Sequence, residues 1–237
     1  MRKRSAIFAP SIFALLLAAA TYKVFSMPNY SLDSYMYSYL VSGDAPTFKV
    51  VPGLPPEYVA MTDEAYRQQA PYYTVKALYV ALVGIAAPFV GVLRAPTATS
   101  AAAYLLCGWV VWFWLRSLGV KGTWRTITAL LIMFSSVVTD TARMGTPDLL
   151  CSLLLVTGAW LLTATRQAYL GACSLVLAIY TRTDCLILAG LLLALACWQK
   201  TISLRFTAIL AVAMLVSYFA VSRLGIHTDN CFLCCLP

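Results

Sequence analysis

The chain has 237 residues, is 61% hydrophobic and only 11% charged, and has a mean hydropathy of +0.80, so it carries too little charge to cover a soluble domain of its size. Its formal net charge of +8 comes from basic residues at the ends of apolar runs, with no Lys/Arg-rich face, which excludes nucleic acid as a partner and reads as helix-end anchoring. Long Leu/Ala/Val runs, in place of alternating strands, exclude a membrane β-barrel. They predict an all-α fold, a polytopic transmembrane helical bundle.

Residues 1–26 open with MRKR and continue into an apolar stretch of about 20 residues, enough to cross a bilayer. Ala18-Ala19-Ala20 would suit signal-peptide cleavage, but the many apolar segments that follow favour an uncleaved first span with a cytoplasmic N-terminus. Residues 27–71 form an outer loop holding five of the nine acidic residues: Asp33, Asp44, Glu57, Asp63 and Glu64. The loop is too aromatic for disorder. Within it, residues 32–40 (LDSYMYSYL) place Asp33, Met36, Tyr37 and Leu40 on one helical face. This predicts a short interfacial helix with Asp33 near its start and the tyrosines as an aromatic belt. Asn29-Tyr30-Ser31 matches a glycosylation acceptor.

Residues 72–222 carry apolar runs at 72–93, 97–115, 126–139, 147–165, 167–181, 184–198 and 206–222, and 223–237 form a tail. The expectation is one membrane domain of about 7 spans plus interfacial helices in the first outer loop, although some runs fall short of the roughly 18 residues a crossing wants. Charge decides the orientation. If 72–93 crosses, then Arg116, Lys121, Arg125, Arg166, Lys200 and Arg205 all fall outside, against the positive-inside bias. If 72–93 instead returns to the outer face or lies along it, the same six residues become cytoplasmic. That second arrangement is predicted. It gathers the first loop, residues 139–148 (TDTARMGTPD) and residues 180–184 (YTRTD) on the outer side, and charges at such helix ends usually mark a site.

Three constellations could carry chemistry there. Asp33 could act as a general base toward a hydroxyl acceptor, or it could be a charge favouring the helix dipole. Pro147 sets Asp148 at the start of a helix. Arg143 nearby offers a planar fork for phosphate, unless the two simply cap helix ends. Arg182 and Asp184 lie two residues apart, so they do not pair along one helix face; they bind a phosphate or anchor a turn. Cys107, Cys151, Cys173, Cys185 and Cys197 read as small hydrophobes, and the tail CFLCC (231–235) could hold metal or form disulfides. His227 has no partner at zinc-ligand spacing, so no metal site is assigned and a divalent-metal requirement stays open. There is no Gly-rich phosphate loop, Ser/His/Asp set or nucleophile elbow.

Taken in order, the early Asp33 in an outer loop, residues 68–84 (QQAPYYTVKALYVALVG), residues 143–162 (RMGTPDLLCSLLLVTGAWLL) and residues 180–195 (YTRTDCLILAGLLLAL) resemble the N-terminal half of the GT-C superfamily of membrane glycosyltransferases. The style is that of the protein O-mannosyltransferases and the bacterial aminoarabinose transferases. The resemblance implies transfer of a sugar from a polyprenyl-phosphate carrier to an acceptor at the outer face, by inverting displacement. Asp33 and Asp148 would be the catalytic carboxylates, with Arg143, Arg182 and Tyr35 binding substrate. Ser34 stands where many relatives carry a second acidic residue. The implied setting is multi-pass in a bacterial inner or plasma membrane, with the lipid-linked donor and membrane lipids as partners and no organic cofactor. Family members are considerably longer, so a partner subunit completing the fold, or a truncated inactive remnant, is also an expectation. The rival class is non-enzymatic: a transporter, flippase or assembly subunit.

Overall fold

The computed structural model describes residues 2–42, 68–69, 72–165 and 167–226. The CFLCC tail, His227, Arg166 and four of the loop's acidic residues (Asp44, Glu57, Asp63 and Glu64) lie outside the described residues. Among those described, the chain is all-helical, without a strand. The helices are α1 (Arg2–Ser26), α2 (Leu32–Ser42), α3 (Ala77–Val90), α4 (Ala95–Ser117), α5 (Gly122–Met133), α6 (Ser136–Arg143), α7 (Asp148–Ala164) and α8 (Ala168–Ile179). A 3-10 turn, Thr183–Cys185, leads into α9 (Leu186–Trp198) and α10 (Leu204–Ile226).

Local signals set the boundaries. Pro96 stands in the first turn of α4, where its missing N–H costs nothing. Beyond its last turn, Gly119 takes φ +78 while Val120 N–H reaches back to the Leu115 carbonyl, a left-handed stop that glycine adopts without penalty. Pro147 stands directly before α7, so Asp148 is its first residue.

α4 is the central element. α1 crosses it where the Leu17 side chain fills the space a side chain at Gly108 would need, and Phe13 meets Trp109 edge-on with ring centroids 5.3 Å apart. α7 runs parallel to α4, with Phe113 stacked on Trp160, and α8 returns antiparallel against α7. Two buried hydroxyls pin α4 to its neighbours. Tyr79 donates to the Pro96 carbonyl (3.0 Å) and Tyr104 to the Met133 carbonyl (2.8 Å). The second satisfies an acceptor that the end of α5 leaves orphaned. One apolar core joins α1 through α4 with the first half of α7; a second joins the end of α7 to α8, α9 and α10.

The bundle has two distinct ends. At one, the Ala9 carbonyl accepts a bond from Thr126, so the start of α1 lies with the end of α4, the start of α5, and Arg116, Lys121 and Arg125. The parallel run of α7 beside α4 carries the α7–α8 turn to the same end. Tyr169 packs on Phe206 there, which places Lys200 and Arg205 nearby. At the opposite end, Asn29 N–H donates to the Arg143 carbonyl, Ser100 donates to the Thr146 carbonyl, and Leu78 N–H donates to the Tyr180 carbonyl. Both ends of α3 belong to this second end: Tyr79 touches Pro96, and Ser38 of α2 donates to the Val92 carbonyl. At about 21 Å long, α3 folds across that end and does not traverse the bundle.

Two helical stretches, Ala9–Ser26 and Ala95–Ser117, are long and apolar enough to cross a membrane. The other apolar helices among the described residues offer shorter apolar stretches of 10–17 residues, Leu204–Ala220 of α10 among them. Large apolar side chains cover the flanks: Phe89 is 84% exposed and Ile187 74%.

Candidate functional site

The site is built where four polar segments meet at the second end. α2 brings Asp33, in its first turn. The turn between α6 and α7 brings Asp148, and it is held by glycine. Gly145 takes φ +63, and an added Cβ would meet Thr97 N at 3.1 Å and Pro96 backbone carbon at 3.2 Å. Ser31 and Ser34 both donate to the Met144 carbonyl, clamping α2 onto this turn. The segment after α8 brings Arg182, whose extended backbone (φ −152, ψ 117) breaks the helical run before the 3-10 turn. Residues 72–76 complete the arrangement.

Arg182 is the hub of the ionic groups. Its Nε donates to Asp184 Oδ1 at 3.0 Å and its Nη2 to Asp184 Oδ2 at 2.5 Å, a fork-to-fork pair, while Nη1 meets Asp148 Oδ1. Asp148 also accepts the Thr146 hydroxyl at 2.7 Å. The hydrogen bond to Asp184 holds the Arg182 guanidinium above its ordinary range, and the same bond holds the Asp184 carboxyl below its own.

Asp33 is set differently. Its Oδ1 accepts the Tyr73 hydroxyl at 2.7 Å, and no cation pairs with it among the described residues. Lys76 lies next to it in an aromatic cradle, its Nζ 4.7 Å from the Tyr72 ring centroid, 4.9 Å from Tyr73 and 5.7 Å from Tyr37. Burial pulls the Lys76 ammonium below the usual lysine range. Asp33 and Asp184 pull it upward and Arg182 lowers it further, so Lys76 feels the charge of all three. The structure therefore brings Asp33, Asp148 and Arg182 into one electrostatic neighbourhood.

Two expectations come out otherwise. Arg143 does not pair with Asp148: its Nε donates to the Met27 carbonyl at 2.7 Å and its Nη1 stands 3.7 Å from Asp140. It ties the end of α1 to α6 and lines a separate cavity of about 540 Å³ with Lys23, Phe134 and Asp140. The tyrosines of α2 are not an interfacial belt. Tyr35 is 1% exposed and Tyr37 fully buried, because α2 sits beneath Tyr73 and Tyr79, both of which meet the Tyr37 ring edge-on. Tyr35 stacks on Tyr30, ring centroids 5.7 Å apart. Burial pushes its phenol up to about 12, and the buried ring packs inside the protein.

Sequence reasoning passed over Tyr73, Lys76 and Thr146. Tyr72-Tyr73 and Lys76 stand out only as an interfacial signature. Their relation to Asp33 spans some 40 residues of sequence, and no local pattern reports it. Among the described residues, no three His, Cys, Asp or Glu side chains gather into a set that could hold a metal ion. What the arrangement offers chemically is one carboxylate that no described cation pairs with, beside a fixed guanidinium and a desolvated ammonium. No family model, curated protein or solved structure matches this chain.

Proposed function

We propose that the chain is a polytopic membrane glycosyltransferase of GT-C-like architecture, moving a sugar from a polyprenyl-phosphate donor to a hydroxyl acceptor at the outer membrane face. The observation that carries the reading is the contrast between the two aspartates. Asp148 is committed to Arg182 and Thr146, whereas Asp33 keeps a carboxylate unpaired by any described cation within the field of Lys76. An unpaired carboxylate beside cations suits a base that works next to a departing phosphate.

In this reading Asp33 takes the proton of the acceptor hydroxyl. The acceptor oxygen attacks the anomeric carbon, the bond from that carbon to the phosphate oxygen breaks with its electrons, and the sugar inverts. Negative charge then grows on the lipid phosphate, where Arg182 and Lys76 stabilise it. Asp148 and Asp184 position Arg182, and Tyr73 positions Asp33. The orientation fits as well: with the N-terminus cytoplasmic, Arg116, Lys121, Arg125, Lys200 and Arg205 share its end and the site falls outside. The span-length α1 and α4 and the exposed apolar flanks support about 7 crossings, with α5 and α6 together making one, α3 folded across the outer end, and the shorter helices tilted or matched to a thinned bilayer. The cellular setting this reading implies is a bacterial inner or plasma membrane.

The test is reconstitution in liposomes with a labelled polyprenyl-phosphate sugar. Free polyprenyl phosphate and labelled acceptor should appear together when a hydroxyl acceptor is supplied. Label that stays on the carrier under every acceptor would overturn the reading.

A further inference from the structure

The end of the bundle opposite the site contains a cavity of about 840 Å³, walled by Pro10 of α1, by Trp109, Trp112 and Phe113 of α4, and by the start of α5. Arg116, Lys121 and Arg125 line it. No carboxylate pairs with any of the three among the described residues, and the charge of Arg116 bears directly on Arg125. Like charges held together without a counter-ion are unfavourable unless something anionic joins them.

Three further observations point to a ligand. The Arg125 guanidinium lies 3.9 Å from the Trp112 ring centroid, and its Nε is buried without a hydrogen-bond acceptor among the described residues. Trp112 is only 5% exposed, and its indole N–H also has no partner among the described residues. A buried donor with nothing to bond to is costly. The first backbone N–H groups of α5 open at the same place, with no side-chain cap from Lys121. Donors, positive charge and the helix dipole all converge on one volume, and the rest of its wall is aromatic.

We infer that this cavity holds the phosphate headgroup of an anionic phospholipid, with Arg116, Lys121 and Arg125 around the phosphate and the Trp109, Trp112 and Phe113 rings against the glycerol and upper acyl chain. Lipid is favoured over a soluble anion by position. The cavity lies between the ends of α1 and α4, which both carry apolar stretches long enough to cross a membrane, and Trp124 and Leu118 beside it are exposed. That is the depth at which headgroups and indole rings meet. A membrane-facing cation near an anionic surface contributes about a fivefold change in lipid affinity, so three convergent cations suffice to select charge. The inference requires the chain to lie in a membrane and is independent of the transfer chemistry.

Native mass spectrometry on the purified full chain tests it, with phosphatidylglycerol titrated against phosphatidylcholine. One phosphatidylglycerol should bind at least about tenfold more tightly than phosphatidylcholine. Arg116→Gln combined with Lys121→Gln changes only exposed side chains and should erase most of that preference. Lys200→Gln with Arg205→Gln removes equal charge elsewhere at the same end and should leave it unchanged. Equal binding of the two lipids, equal loss in both double variants, or displacement of the lipid by millimolar inorganic phosphate would each overturn the assignment.

Discussion

A close helix contact between α7 and α8 gives a prediction whose sign depends on geometry. Where α7 and α8 cross, a Cβ on Gly171 would lie 2.9 Å from the Gly158 carbonyl oxygen, 2.9 Å from Leu161 Cβ and 3.0 Å from Leu162 N. Two of these are backbone atoms and the third is fixed to the backbone, so no side-chain rotation relieves them. Ordinary contact begins near 3.4 Å, so Gly171→Ala must push the helices apart by about half an ångström. Overpacking of this kind costs about 1–3 kcal/mol. The helix preference of Ala over Gly returns at most about 1 kcal/mol, and less here in the first turn of α8. The net expectation is a loss of about 1–2 kcal/mol, read as a thermal midpoint several degrees lower in detergent. Gly190→Ala in α9 meets no atom within 4 Å and collects the preference without the clash, so its midpoint should hold or rise. A Gly171→Ala protein as stable as Gly190→Ala would refute the reasoning.

Tyr73→Phe removes the hydroxyl that orients Asp33, and kcat for transfer should fall about tenfold, the worth of one hydrogen bond to a charged group. In an Asp33→Asn background the same change should cost almost nothing further, and additive losses would show that Tyr73 acts elsewhere. Lys76 supplies a pH dependence of stability. Because burial lowers its folded value below the 10.5 of a free lysine, the unfolded chain holds more protons across that interval, and stability should rise with pH through it. Lys76→Met should flatten the rise in thermal midpoints measured up to pH 10.5; an unchanged slope would assign it to another group.

Much of the architecture is readable from local pattern. The apolar run 97–115 that becomes α4, the helix-initiating Pro147-Asp148, and the short helix around Asp33 all stand where composition and spacing put them. Charge alone favours an arrangement in which 72–93 does not traverse the bundle, and both ends of α3 indeed meet the same end. The run 126–139 reads as one segment but divides into α5 and α6 at Ser135, whose hydroxyl bonds back to the Ile132 carbonyl. A serine's competition for backbone carbonyls leaves only a faint mark in a hydropathy profile. Spacing rules out an Arg182–Asp184 pair along a helix; the pair forms because the Arg182 backbone is extended, which spacing does not encode. Asp148 took Arg182 as partner over the nearer Arg143 because the α8 turn packs against α3 beside it, a tertiary fact. The same holds for α2: its tyrosines are buried by Tyr73 and Tyr79, residues distant in sequence.

The central claim is that Asp33 is the base for glycosyl transfer, and the rate of acceptor-dependent polyprenyl phosphate release by Asp33→Asn tests it most directly. Asn keeps the size of the side chain and can still accept the Tyr73 hydroxyl, so the fold and donor binding should persist while the proton has nowhere to go. The account predicts a rate about 10²–10⁴-fold below the unaltered chain at saturating donor. Equal rates for the two proteins would contradict it.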